Sequence, residues 1–256
     1  MTKPRNYQTE AIIIKKTKLG EADRILTLYT PHLGKIQGVA KGVRRPRSKL
    51  SGHLELLTHS QVSLARGRNI DTIIGSQTIN SFLELKGDLK LTSYALYATE
   101  LVYQFTADHI ENRPLFGLLL ETMEQLCCNS DNELVLRYFE LNLFERVGYR
   151  PQLHRCVSCR LLLKPVTNSF CPSAGGMLCS SCTQSQPLTY PVSVNGLKVL
   201  RLLQDADYNT AGRLRMNQEL SCELELLMRS YLKYLLEREV KSAAWLDTLR
   251  QLSKET

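Results

Sequence analysis

The stretch Thr9–Gly42, TEAIIIKKTKLGEADRILTLYTPHLGKIQGVAKG, contains three short apolar segments separated by residues that favour turns. The first segment is rich in β-branched residues, the second, RILTLYT, alternates its side chains between two faces, and the third begins and ends at glycine. Two further segments, LELLTHSQVSLARG and IDTIIGSQTI, continue this pattern. Five short strands with glycine and proline between them predict a small closed or half-closed β-barrel. An OB-like barrel fits the size and strand number best, and an SH3-like barrel is the alternative.

After residue 80 the apolar residues follow a helical period. Three helices are predicted before residue 149, and the third begins at Asp131 or Asn132, ends at Gly148 and is apolar around much of its circumference. Helices resume after residue 190, with Ser193 as an N-cap. The predicted fold class is therefore α+β and multidomain, with an N-terminal OB-fold barrel at residues 1–80, a helical domain in two parts at 81–148 and 191–256, and an embedded cysteine-rich insert at 149–190.

The insert contains two C-x-x-C pairs, Cys156 with Cys159 and Cys179 with Cys182, and nineteen residues separate the pairs. This spacing is typical of a zinc ribbon, because each C-x-x-C turn directs two thiolates at one point and two turns complete a tetrahedron. Four thiolates leave no open coordination position, so we predict one structural Zn²⁺ per chain. Four free thiols remaining from a lost site are the alternative.

The other cysteines are expected to pack in the protein. Cys171 is expected to lie inside the insert, and Cys127, Cys128 and Cys222 fall in predicted helices, where we expect them in the core. No signal peptide and no apolar run long enough to span a membrane is found in the sequence. We therefore expect a cytoplasmic protein whose thiols stay reduced, which favours metal binding over disulfides.

The basic excess of the chain lies in its first third. Residues 1–80 contain fourteen Lys and Arg against five Asp and Glu, whereas residues 81–256 contain nineteen against twenty. This asymmetry predicts a polyanion partner, and a basic surface kept for solubility is the alternative. The candidate phosphate contacts are Lys35, Lys41, Arg44, Arg45, Arg47 and Lys49, with Arg66 and Arg68 from a neighbouring hairpin loop.

Aromatic side chains that could stack on bases are scarce in the same region, which contains only Tyr7 and Tyr29. Tyr29 could stack on a base or fill the barrel core, and the core is favoured. We expect binding that depends on the phosphate backbone and tolerates any sequence.

Catalytic motifs are absent from the sequence, including the P-loop, H-E-x-x-H and G-x-S-x-G. His109, Glu111 and a later C-x-x-C share features with the zinc deaminase signature, but Arg155 stands where that signature has proline. No catalytic residue is assigned, and a binding protein that is not an enzyme is predicted.

Several segments resemble one known family, the bacterial DNA repair and recombination mediator RecO. GEADRILTLYT (20–30) and GKIQGVAKGVRRPRS (34–48) are similar to its barrel signature. FERVGYRPQLHRCVSC (144–159) followed by AGGMLCSSC (174–182) resembles its junction between helix and zinc module. The resemblance covers all three regions in order, and this sequence keeps all four zinc ligands, which some members have lost.

The resemblance implies an OB-fold domain, a helical domain and a four-cysteine zinc module. It further implies binding to single- and double-stranded DNA, annealing of complementary strands and a nucleoid-associated location. The implied partners are RecR, in some members RecF, and the acidic C-terminal tail of single-strand binding protein, with RecA loaded indirectly onto the coated strand. An RNA-binding protein built from a barrel and a zinc ribbon is the alternative, and a scaffold role for the helical domain is compatible with the first reading.

Overall fold

The structure of the protein is a computed structural model that describes residues 5–128 and 131–252. The chain divides after Cys127 into two compact units. The first unit contains a β-barrel and three helices, and the second contains the cysteine-rich insert and the remaining helices. No helix in the described part of the chain is both long enough and apolar enough to cross a bilayer.

Five strands close into a barrel in the order β1-β2-β3-β5-β4, and β4 pairs with β1 to complete it. All neighbouring strands are antiparallel except β3 and β5. This topology confirms the predicted OB-like barrel within an α+β fold. The strands are β1 Asn6–Leu19, β2 Asp23–Thr30, β3 Gly34–Ala40, β4 His59–Ala65 and β5 Asp71–Asn80.

The barrel interior is filled by alternate side chains of its strands, as the period of two requires. Leu26 and Leu28 of β2 lie inside with Leu64 of β4 and Ile73 of β5. Gly38 also faces this interior, where a Cβ atom would lie 2.9 Å from the Ile73 side chain. Large side chains on β4 and β5 therefore require the small residue on β3.

Three helices follow the barrel in the first unit: α1 Leu83–Gly87, α2 Leu89–Phe105 and α3 Arg113–Cys128. They explain the position of Tyr29, which lies on the outer side of β2 and is fully buried. Its ring centroid is 6.2 Å from that of Phe116 on α3. Tyr29 is therefore neither an exposed platform for bases nor part of the barrel interior, because a helix more than eighty residues later in the chain covers it.

The second unit is organised around α4, Asn132–Arg146, which packs against two later helices. Asp131 caps it by accepting a hydrogen bond from the Leu134 N–H at 3.0 Å, and Gly148 follows it with φ +84°. Both ends agree with the sequence prediction, and so does the Ser193 cap of a later helix. The other elements of this unit are β6 Asn168–Cys171, β7 Gly176–Leu178, α5 Ser180–Thr183, β8 Tyr190–Val192, α6 Val194–Asp205, α7 Tyr208–Ala211, α8 Gln218–Leu236 and α9 Lys241–Leu252.

The insert folds as a three-stranded sheet in the order β7-β6-β8. Phe170 of β6 packs edge-to-face on Tyr231 of α8, with ring centroids 5.3 Å apart. The Tyr231 hydroxyl donates a hydrogen bond to the Tyr149 carbonyl at 2.9 Å. These contacts attach the insert to the helices of its own unit and fix where its cysteines lie.

Candidate nucleic-acid interface and metal centre

The four cysteines of the two C-x-x-C pairs come together at one point of the insert. The Sγ atoms of Cys156, Cys159, Cys179 and Cys182 all lie within 4.8 Å of one another, and those of Cys159 and Cys179 are 3.8 Å apart. Sulfur atoms at about 2.3 Å from a tetrahedral Zn²⁺ are separated by about 3.8 Å, so the spacing fits this ion. The residues present can therefore bind a metal ion.

Backbone hydrogen bonds shape the first pair of ligands into a tight hairpin. The Arg160 N–H donates to the Cys156 carbonyl and the Cys156 N–H donates to the Leu161 carbonyl, both at 2.9 Å. Arg160 adopts a left-handed conformation with φ +63°, which turns the chain sharply after Cys159. These bonds fix the backbone on both sides of Cys159.

Electrostatics at the centre favour the thiolate form of Cys156. Burial raises the pKa of its thiol, but the N–H groups of residues 179, 159 and 158 outweigh this effect, and the pKa falls to about 6. Cys182 shows the opposite change: a hydrogen bond with Ser158 lowers its pKa, but hydrogen bonds with the neighbouring cysteine thiols outweigh this effect and raise the pKa to about 11. Because metals bind thiolates, an ion bound at this centre displaces the protons that the thiols carry.

The remaining cysteines divide into two groups. Cys171 is fully buried and packs against Cys156 and Leu178, so it lies beside the four ligands as a core residue. Cys127 is half-buried and Cys128 and Cys222 are exposed, so the expectation that these three lie in the core is wrong for Cys128 and Cys222. The helical period locates a residue on a helix but does not by itself show which face the rest of the chain covers.

Five of the predicted phosphate contacts lie in one exposed segment between β3 and β4, which we call the basic loop: Lys41, Arg44, Arg45, Arg47 and Lys49. Among the residues that the structure describes, none of these five side chains has an ion-pair or hydrogen-bond partner. Five cations without internal partners are free to meet a polyanion.

The basic loop is fixed to the barrel at its start. The Gly42 N–H donates to the Asp23 carboxylate at 2.7 Å, and the Arg44 N–H donates to the Ala22 carbonyl at 3.0 Å. Val43 is buried and joins the barrel core. These bonds place the loop against the turn between β1 and β2, one of the positions from which OB-folds bind oligonucleotides.

Lys35 has a different environment from the basic loop, because only 8% of its surface is exposed. Its ammonium donates hydrogen bonds to the carbonyls of Tyr103, at 2.9 Å, and Thr106, at 2.6 Å. It also lies 3.4 Å from the Asp108 carboxylate. These partners occupy the amine in the fold, so we leave Lys35 out of the proposed surface.

Arg66 and Arg68 are exposed in the turn between β4 and β5. The Arg66 guanidinium lies 4.7 Å from the centre of the Tyr7 ring. Parallel pairing of Gly38 with Asp71 places this turn beside the first half of β3, whereas the basic loop follows its last residue. The two groups of cations therefore lie toward opposite ends of β3, and the structure does not merge them into one cluster.

A cavity of about 280 Å³ borders the same turn. Two carboxylates, those of Asp71 and Asp108, line it together with His109 and neighbouring polar and apolar groups. Asp71 already accepts a hydrogen bond from the Tyr7 hydroxyl at 2.5 Å. Two carboxylates oppose phosphate binding in the cavity, so the basic loop is the stronger candidate.

Two exposed lysines that the sequence reasoning did not select lie on β1, Lys15 and Lys18. Lys18 pairs across the strands with Arg24, next to the turn that holds the basic loop. The Lys15 ammonium lies 4.3 Å from the centre of the Tyr103 ring. The run KKTK was visible in the sequence, but only the pairing register shows that it adjoins the loop.

Comparison with known proteins gives one consistent result. The model of the family described as "Recombination protein O N terminal" matches residues 1–82, and that described as "Recombination protein O C terminal" matches residues 86–244. A protein of Dehalococcoides mccartyi strain CBDB1 named "DNA repair protein RecO" is 51% identical over 250 residues, which cover 98% of each chain. Proteins of the same name from Roseiflexus sp. strain RS-1 and Pelotomaculum thermopropionicum are 42% and 35% identical, over 97% and 96% of this chain and 87% and 95% of their own.

Proposed function

This chain belongs to the RecO family of DNA repair proteins, and from that premise we propose that it binds single- and double-stranded DNA, anneals complementary strands and helps to load a recombinase onto strands coated with single-strand binding protein. The observation that carries the proposal is the basic loop, whose five exposed cations are fixed to an OB-like barrel and lack partners among the described residues. Lys15 and Lys18 of β1 extend the positive surface beside the basic loop, and Arg66 and Arg68 form a separate pair of exposed cations.

Binding through the loop is electrostatic in this account. Each cation that neutralises a phosphate releases condensed counterions, which makes the affinity fall with salt. Tyr29 is buried and Tyr7 is hydrogen-bonded to Asp71, so the barrel offers few free rings to bases. The protein therefore contacts the backbone and tolerates any sequence.

Annealing follows from the same properties. Two single strands repel each other through their phosphates, and a cationic surface lowers this repulsion when both strands are bound. Because few rings compete for stacking, the bases stay available to pair with those of the other strand. The protein supplies no catalytic group in this step, and we propose that it is not an enzyme.

The four-cysteine centre binds one Zn²⁺ in this proposal, with Cys156, Cys159, Cys179 and Cys182 as ligands. A zinc ion with four thiolate ligands has no open position for a substrate, so its role is to hold the insert together. The sheet is only three short strands, and metal binding would contribute much of the folding free energy of this part.

We extend the proposal to partners on the basis of family membership. These are RecR, RecF in some members, and the C-terminal tail of single-strand binding protein, with RecA affected indirectly through the loaded strand. Such a role places the protein in the cytoplasm, associated with the nucleoid. RNA binding is the second candidate function, because a basic loop on an OB-like barrel attracts any phosphate backbone.

The experiment measures annealing of two complementary labelled strands by fluorescence energy transfer, with and without the zinc-loaded chain. Acceleration by the protein supports the proposal, and an unchanged rate contradicts it. Unlabelled DNA and RNA of matched sequence are then added as competitors for a bound DNA strand. Stronger competition by DNA supports the repair role, and stronger competition by RNA supports the second candidate.

A further inference from the structure

The hairpin that carries the first pair of metal ligands ends in an exposed apolar pair. Leu161 is 68% exposed and Leu162 is 67% exposed, immediately after Cys159 and Arg160. Together the two neighbours form a small apolar surface at the end of the hairpin. We call the segment Arg155–Lys164 the zinc tip.

The zinc tip is rigid, because its backbone is hydrogen-bonded on both sides of the turn. Arg155 and Leu162 form an antiparallel bridge, and the Leu163 N–H donates to the His154 carbonyl at 3.2 Å. Two further backbone hydrogen bonds join Cys156 to Arg160 and to Leu161. Together these bonds fix the backbone that carries both leucines. A fixed surface loses little conformational entropy when a ligand binds.

Charge around the zinc tip has a single sign. Arg155, Arg160 and Lys164 are exposed, and residues 147–204 contain no Asp or Glu. The flanking acids along the chain are Glu145 before the tip and Asp205 after it, and both form ion pairs with Arg150. Asp205 also lies 3.3 Å from His154. A zinc ion with four thiolates has a formal charge of about −2, which the three exposed cations of the tip exceed.

We propose that the zinc tip is a second DNA-contact surface, in a different unit from the basic loop, and that it binds a single strand. Arg155, Arg160 and Lys164 contact phosphates, and the two leucines pack against exposed bases. Leucine is among the apolar side chains that minor-groove proteins insert between the base steps of a duplex, and unpaired bases of a single strand expose the same flat faces. The absence of carboxylates favours DNA over a protein partner, because protein–DNA interfaces are far more positive than protein–protein interfaces.

This inference rests on the proposed function and deepens it. When one chain binds one strand on the barrel and another on the zinc tip, the two strands are held near each other, and this raises their effective concentration for pairing. Annealing would then depend on two surfaces, and one protein molecule could bridge two strands that are not complementary.

The test uses the full, zinc-loaded chain and two oligo-dT strands, which cannot pair. One strand is immobilised and saturated with protein, and capture of a second, labelled strand is measured. Arg160→Gln with Lys164→Gln removes two phosphate contacts, which should weaken second-strand capture about 25-fold at 0.1 M salt. First-strand affinity should change less than about twofold, because the barrel supplies it.

A matched control removes the same charge from exposed positions of the same unit, Lys198→Gln with Arg213→Gln, and should leave capture unchanged.

Leu161→Ser with Leu162→Ser should reduce capture without changing its salt dependence. Zinc content is measured for every variant. If the Arg160→Gln, Lys164→Gln variant loses metal, the single variant Lys164→Gln is used in its place. The inference is overturned if the tip variants capture the second strand as well as the wild type does. It is also overturned if the control variant loses as much second-strand capture as the tip variants. If the wild type fails to bind the first strand, the proposed function itself fails.

Discussion

Replacing the three arginines of the basic loop tests its role quantitatively. Arg44→Ala, Arg45→Ala and Arg47→Ala remove three exposed cations whose side chains have no partners among the described residues. The substitutions should therefore leave the barrel stable while weakening DNA binding. Thermal unfolding of the variant checks that its midpoint stays within a few degrees of the wild type.

The size of the effect follows from counterion release. Each phosphate contact on a single strand adds about −0.7 to the slope of log K against log salt, so three lost contacts change the slope by about 2. At 0.1 M salt the same three contacts correspond to a loss of about 100-fold in affinity, or about 2.8 kcal/mol. The loss should be equal for different base sequences, because the contacts are to the backbone.

Fluorescence anisotropy of labelled single strands over a series of salt concentrations measures both quantities. The control variant removes three exposed cations elsewhere, with Arg113→Ala, Lys198→Ala and Arg213→Ala. Its slope should match the wild type. A loop variant that keeps the wild-type slope and affinity, or a control variant that loses as much, would refute the reasoning.

Three further predictions concern the fold and the metal. Cys179→Ser should lower bound zinc from about one ion per chain to near zero, because the remaining three thiolates do not complete the tetrahedron. Metal analysis measures the zinc content, and a variant that keeps its zinc would contradict the proposed ligands. Gly34→Ala should lower the unfolding free energy by about 1–3 kcal/mol or more in chemical denaturation, because the φ of Gly34 is +63° and a Cβ atom would lie 2.0 Å from the Ile110 carbonyl oxygen. The control Gly52→Ala, at a position with open space, should change the unfolding free energy little. Lys35→Met should cost about 1–3 kcal/mol of stability by leaving its two carbonyl partners unpaired, yet the salt slope for DNA should stay at the wild-type value; a flattened slope would return Lys35 to the DNA surface.

The barrel and the metal ligands could be predicted because the sequence signals for them are local. Alternation along β2 predicted a strand with two faces but not which face lies inside, and the structure places Leu26 and Leu28 in the interior. The spacing of the two C-x-x-C pairs identified four ligands that the structure brings within 4.8 Å of one another. Helix ends were also predictable, since Asp131 caps a helix through its own carboxylate.

The outer face of the barrel could not be predicted in the same way. A lysine on the outer side of a strand is ordinarily exposed, but Lys35 is buried by residues that come about seventy positions later. Tyr29 is covered by Phe116 for the same reason. Long-range packing of this kind leaves no periodic signal in either segment. The exposure of Leu161 and Leu162 likewise depends on the hairpin and not on the apolar run in which they occur.

Locating the DNA on the protein tests the central claim most directly. A single strand that contains photoreactive thymidines is bound to the full, zinc-loaded chain and cross-linked with light, and mass spectrometry identifies the attached peptides. The account predicts that the main cross-links lie in residues 41–49, with a second set in the zinc tip. Cross-links that appear efficiently elsewhere and are absent from residues 41–49 would contradict it.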